Sequence, residues 1–156
     1  MMFHARMKIE HVFLIANYSV LPAWLLLVFA PRWRLTRAVV HSILPCLLLA
    51  PLYGCLLFGD RPGPEGASFW TLDGVTRIFT TPWTITACWI HYLVFDLFVG
   101  AWEARDAERL GIRHVFVVPS MILTLLFGPL GWLSWALVRW IWKRRFSTDE
   151  HALRDR

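Results

Sequence analysis

Asp96 is the residue whose chemistry is hardest to explain away. It lies in Trp89-Ile-His-Tyr-Leu-Val-Phe-Asp-Leu-Phe-Val-Gly-Ala-Trp-Glu103, a segment that carries His91 and Tyr92 as well and is otherwise too apolar for water. A carboxyl at membrane depth is costly unless it is protonated, paired or turned toward an internal cavity. Acid-base chemistry in a dry pocket is the functional reading of such a group. A structural hydrogen bond to a neighbouring helix is the ordinary alternative.

Helical geometry divides the segment into faces. At about 100° per residue, Trp89, Tyr92, Asp96, Gly100 and Glu103 share one stripe. His91 stands about 140° from Asp96 and groups with Phe95, Phe98 and Trp102. A partnership between His91 and Asp96 therefore requires bridging groups from another helix.

The composition supplies such helices. Of 156 residues, 57% are hydrophobic, ten are Trp and only 17% are charged, the balance of a single membrane domain. The net charge is +5, but Lys and Arg cluster at the ends of apolar runs. There they mark interfaces and topology, which excludes a nucleic-acid surface. Cys46, Cys55 and Cys88 lie in apolar segments without C-x-x-C spacing. They imply no disulfide framework, and each reads as a small buried hydrophobe. No Walker loop, G-x-G-x-x-G, H-E-x-x-H or G-x-S-x-G occurs, and the six histidines form no metal-ligand boxes. The expectation from motifs is chemistry or binding without a nucleotide cofactor or a metal.

Four apolar spans are expected, about 12–30, 38–58, 83–102 and 114–142, forming an all-α integral membrane protein with a four-transmembrane-helix antiparallel bundle. The first follows a short polar lead-in and contains Asn17, Pro22 and Trp24. Its onward run into Pro31-Arg-Trp-Arg lacks a cleavage signal. The second carries Pro45, Pro51 and Tyr53, so bends and freed carbonyls are expected in it. Residues 68–79, with Asp73 and Arg77, read as an interfacial or re-entrant helix between spans two and three. Glu103 to Arg113 reads as a charged hairpin loop, with Gly111 as a C-cap. The fourth span begins at His114 and is broken at Val118-Pro-Ser and at Phe127-Gly-Pro-Leu-Gly131, which predicts a kinked or discontinuous segment. Gly128-x-x-Gly131 is a weak self-association signal, so a homo-oligomer is possible. Residues 143–156 form a basic, then mixed tail. With four full crossings, ten Lys and Arg share the side of the N-terminus and six fall opposite, which favours both termini in the cytoplasm.

Trp89-Ile-His-Tyr-Leu-Val-Phe-Asp-Leu-Phe-Val-Gly100, Gly111-Ile-Arg-His-Val-Phe-Val-Val-Pro119 and Leu123-Thr-Leu-Leu-Phe-Gly-Pro-Leu-Gly131 closely resemble the abscisic-acid-deficient-4-like family. Asn17, Trp24, Pro31, Tyr53, Gly74-Val75 and Phe79 also fit its pattern. Plant members are linked to neoxanthin synthesis. The chain lacks their chloroplast transit segment, which implies a bacterial inner-membrane member. The resemblance implies isomerisation of a carotenoid or related isoprenoid: an epoxide oxygen is protonated, its C–O bond opens, and a proton leaves a neighbouring carbon. Asp96 would supply the acid and His91 or His114 the base. Asn17, Trp24, Tyr53, Arg77, Trp89, Tyr92, Trp102 and Glu103 would bind and orient the substrate. The implied partners are a lipophilic small molecule and membrane lipid. The alternative is a non-catalytic carotenoid- or lipid-binding membrane protein that protects pigment or assists another enzyme.

Overall fold

A computed structural model describes the backbone at residues 2–59, 63–144 and 148, with side chains from Ile9 onward. Among the described residues the structure is helical, without strands. The helices are α1 (Met2–Phe29), α2 (Arg34–Val39), α3 (Leu44–Phe58), α4 (Leu72–Ile78), α5 (Pro82–Leu110), α6 (Val118–Phe127) and α7 (Pro129–Lys143). A single 3-10 turn, His114–Phe116, precedes α6. Most of the expected tail lies outside the described residues. Two compact units divide within α5, Met1–Ala101 and Trp102–Arg156.

Among the described residues, two helices are long and apolar enough to cross a bilayer, Ile9–Phe29 within α1 and Pro82–Leu110. Much of their apolar surface faces outward. Ile15, Leu25 and Phe29 on α1, and Phe95 and Phe98 on α5, are all exposed, as are Leu47, Leu48 and Phe58 on α3. Water would oppose exposure of an apolar surface of that extent at about 25 cal/mol per Å², which is consistent with membrane association. Cys46 and Cys55 share this outer surface rather than being buried, and Cys88 is half-buried.

In the first unit, side-chain contacts set the direction of α1 and α5. Phe13 packs near Trp89, ring centroids 5.8 Å apart, and the Trp89 indole donates to Asn17 Oδ1 at 2.8 Å. Farther along both helices, Trp24 lies against Gly100, where an added Cβ would stand 2.6 Å from the indole. Successive positions on α1 therefore meet successive positions on α5, and the two helices run parallel. The return path between them falls to α3, whose Tyr53 reaches His91 on α5 with ring centroids 5.9 Å apart.

Proline placement decides where that return path is helical. The segment expected over 38–58 is divided, and Pro45 begins α3 instead of bending it. At the first helical turn the missing N–H has no intrahelical acceptor to lose. Pro51 remains inside α3 and Pro22 inside α1. The interfacial segment contracts to α4, capped by Thr71, whose hydroxyl accepts from Gly74 N at 3.1 Å.

The second unit holds the largest departure from the sequence-based expectation. Glu103 to Leu110 is not a loop; α5 continues through it and ends at Gly111, whose φ of +63° takes the left-handed C-terminal position. Beyond the 3-10 turn the chain folds back on itself. Gly128 has φ +44° between α6 and α7, and the Ser120 and Ser134 hydroxyls are 3.0 Å apart. In one straight helix those serines would stand about 21 Å apart. A Cβ at Gly131 would lie 2.0 Å from the backbone nitrogen of Thr124, so the two helices cross where only glycine fits. Phe116 and Trp142, with centroids 4.7 Å apart, close the open end. The segment is an antiparallel helical hairpin.

Candidate functional site

The stripe foreseen on α5 faces inward along much of its length. Asp96 is 8% exposed, although it sits between exposed Phe95 and buried Leu97. Its Oδ2 has no hydrogen-bond partner, while the half-buried Tyr92, one turn earlier, hydrogen-bonds the carboxyl. Gly100, one turn later, lets the Trp24 ring against the helix. Trp24 is 3% exposed and its Nε1 likewise has no partner. A donor and an acceptor are thus buried in the same unit, on the α5 face that Trp24 covers. Polar atoms so placed cost on the order of 1–3 kcal/mol each when unsatisfied. The carboxyl oxygen and the indole N–H are the two groups on this face that a ligand's polar atoms would satisfy.

The remaining candidates separate into other groups. Asn17 is committed to the exposed Trp89. His91 is exposed, stacked on Phe95 at 4.4 Å and reaching Tyr53 rather than Asp96. Helical geometry already set it about 140° from Asp96, and α3 provides no bridge. Arg77 forms an exposed i,i+4 pair with Asp73 at 2.8 Å on α4. His114 begins the 3-10 turn of the second unit, half-buried.

Trp102 and Glu103 belong to a second polar cluster. Glu103 is completely buried, and the equally buried Thr124 of α6 donates to its Oε1 at 2.9 Å. One turn on, Asp106 accepts from Trp135 Nε1 at 2.9 Å and pairs with Arg139 Nε at 2.9 Å, both from α7. Arg109 reaches the other Asp106 oxygen at 3.3 Å from a more exposed position. The Arg139 guanidinium also lies over Trp102, 5.6 Å from the ring centroid. Sequence reasoning missed Asp106, Arg139, Trp135 and Thr124. The available signal was the i,i+3 spacing of Glu103 and Asp106 with small Ala104 and Ala107 beside them, which puts both acids on a helix face able to accept close packing.

A mainly apolar groove of about 410 Å³ opens near the start of α5, lined by Ile9, Glu10, Phe13 and Leu14 of α1 and by Pro82, Ile85 and Thr86 of α5. Thr86 is on the helix about 15 Å before Asp96, so the groove is distinct from the carboxyl.

Comparison with known proteins agrees with the motifs of α5 and α6. The sequence model described as ABA DEFICIENT 4-like matches residues 11–135. The chain belongs to this family. It is 32% identical over 133 residues to Protein ABA DEFICIENT 4, chloroplastic, of Arabidopsis thaliana, covering 79% of this chain and 58% of that protein. The chain therefore spans under two thirds of the length of its plant relative. No solved structure matches it. The matched stretch of this ABA DEFICIENT 4-like protein contains Asp96, Trp24, Glu103, Asp106 and Thr124, and ends at Trp135, short of Arg139.

Proposed function

We propose that this ABA DEFICIENT 4-like protein is a membrane-embedded isomerase of a carotenoid or related isoprenoid, working by acid-base chemistry on Asp96. Four apolar segments, 12–30, 38–58, 83–102 and 114–142, lie in the bilayer in this reading. The observation that carries it is the buried Asp96 carboxyl, with one oxygen unpartnered, on the face covered by the equally unsatisfied Trp24 indole. Family membership supports the substrate class. Asp96 gives its proton to an epoxide oxygen as one C–O bond opens, and that oxygen stays on its other carbon as a hydroxyl. The carboxylate so formed, or a histidine, takes a proton from a neighbouring carbon and completes a double bond. Atoms and electrons balance within the substrate. Trp24 and Tyr92 orient the oxygen, and burial excludes water that would hydrolyse the opened epoxide.

The test is a pigment extract, resolved by chromatography and mass spectrometry, from cells that accumulate a defined epoxycarotenoid together with the protein. A new isomer of unchanged mass is expected, and Asp96→Asn should abolish it. His91→Ala and His114→Ala show whether either histidine takes the carbon proton. An Asp96→Asn protein that still forms the isomer refutes the role of Asp96.

The apolar groove supports a second reading, a non-catalytic carotenoid- or lipid-binding protein. In that case pigment co-purifies with wild-type and Asp96→Asn protein alike, and no isomer forms.

A further inference from the structure

We infer that the α6–α7 hairpin is a re-entrant bilayer insert, entering and leaving the membrane on one face, and that this orients the whole chain with the start of α1 outside and the α7 end in the cytoplasm. The first argument is length. At about 1.5 Å per residue, the ten residues of α6 rise about 15 Å and the fifteen of α7 about 22 Å. The α6 rise is about half of the roughly 30 Å of hydrocarbon, so the turn at Gly128 falls inside the bilayer, and α7, packed antiparallel on α6, returns to the face that α6 left. The second is the distribution of side chains along the hairpin. Its tip is apolar and outward-facing at Leu126, Phe127, Leu130 and Leu133. Its open end carries Phe116 against Trp142, with Trp140, Lys143 and Arg144 alongside, an aromatic and basic collar of the kind that sits at headgroups. The third is the interior. Ser120, Thr124 and Ser134 satisfy one another or Glu103 between the helices, so the polar groups that enter the bilayer are turned away from lipid.

The consequence for topology follows from the parallel course of α1 and α5. If both cross the membrane in the same direction, α3 crosses back, and the end of α5 lies opposite the start of α1. A re-entrant hairpin keeps the chain on that face. Arg6, Lys8, Arg61 and Arg77 then share one side. The other receives three Arg from residues 32–37, three from 105–113 and all six Lys and Arg from Arg139 onward, twelve of the sixteen. The positive-inside rule places that richer side in the cytoplasm. A fourth full crossing would instead divide the charges ten to six and hold both termini together. The hairpin thus gives the more asymmetric arrangement of the two, reached from contacts that do not involve charge.

The experiment uses the full chain in a bacterial host, with Cys46, Cys55 and Cys88 replaced by Ala and one new cysteine at Arg113→Cys, Thr148→Cys or Gly63→Cys. A membrane-impermeant maleimide is applied to intact spheroplasts and to inverted vesicles. Arg113→Cys and Thr148→Cys should label in inverted vesicles and lose that labelling in spheroplasts, with Gly63→Cys the reverse. Arg113→Cys and Thr148→Cys labelling from opposite faces would overturn the re-entrant hairpin. Both labelling from the outer face would overturn the orientation. An independent check is the double variant Phe116→Cys with Trp142→Cys. In the hairpin a short bis-maleimide links the two thiols within one chain, read as one added linker by mass, whereas a straight crossing would separate the pair by about 39 Å and leave them unlinked. Neither readout depends on the chemistry of Asp96, so the proposed isomerase and the proposed insertion fail separately.

Discussion

Asp106 should be highly sensitive to loss of its charge, and substituting its two arginine partners should have unequal effects. Arg139 and Arg109 both contact its carboxyl, but the Arg139 side chain is 6% exposed and Arg109 27%. Breaking a buried pair by removing one partner costs about 3–5 kcal/mol, because the other charge stays desolvated. Asp106→Asn preserves the shape and can still accept from Trp135 Nε1, so its effect isolates the charge. Arg139→Gln should cost a similar amount. Arg109→Gln, at a partly solvated position, should cost about 1 kcal/mol or less. The double variant Asp106→Asn with Arg139→Gln should fall well short of the sum of the two singles, since the two buried charges are then removed together. The assay is reversible unfolding of purified protein in mixed micelles with increasing denaturing detergent, followed by far-ultraviolet circular dichroism. The reasoning is refuted if Asp106→Asn and Arg139→Gln each cost no more than Arg109→Gln, or if the double variant is additive.

Other positions give sharper local tests. Gly131→Ala puts a Cβ 2.0 Å from the Thr124 backbone nitrogen, so the helices must separate; a loss of at least about 1–3 kcal/mol is expected in the same assay. Gly100→Ala forces Trp24 off α5 by colliding with its ring 2.6 Å away, and should change the intrinsic fluorescence of that indole and reduce isomer yield while leaving helical content intact. Thr124→Val removes the hydroxyl that donates to Glu103 in a fully buried setting, and should destabilise by about 1.5–3 kcal/mol in the detergent titration. Asn17→Ala breaks only the hydrogen bond to an exposed Trp89, with an expected effect of about 1 kcal/mol or less.

Asp96 was legible in the sequence because its cost arises from local surroundings: a carboxyl among Phe95, Leu97 and Phe98 is conspicuous whatever the helix packs against. Its separation from His91 was legible too, because helical periodicity alone sets the angle. The Gly111 stop and the break at Gly128-Pro129 followed from backbone chemistry, which needs no tertiary partner. The sequence by itself therefore determined an apolar helical chain, the stripe that carries Asp96, and the points at which helices end.

Tertiary structure decided what those helices meet. Glu103 and Asp106 look solvated in a run of charges, and only α6 and α7, folding back to bring Thr124, Trp135 and Arg139 against them, make burial affordable. That partner set lies eighteen or more residues away along the chain, beyond the reach of any helical repeat. The same limit hid the hairpin. A glycine and a proline at 128–129 predict a break, but a kinked span and a reversal begin with the same residues. The close fit of Gly131 on Thr124 and of Phe116 on Trp142 selects the reversal, because those contacts exist only when the two helices lie side by side.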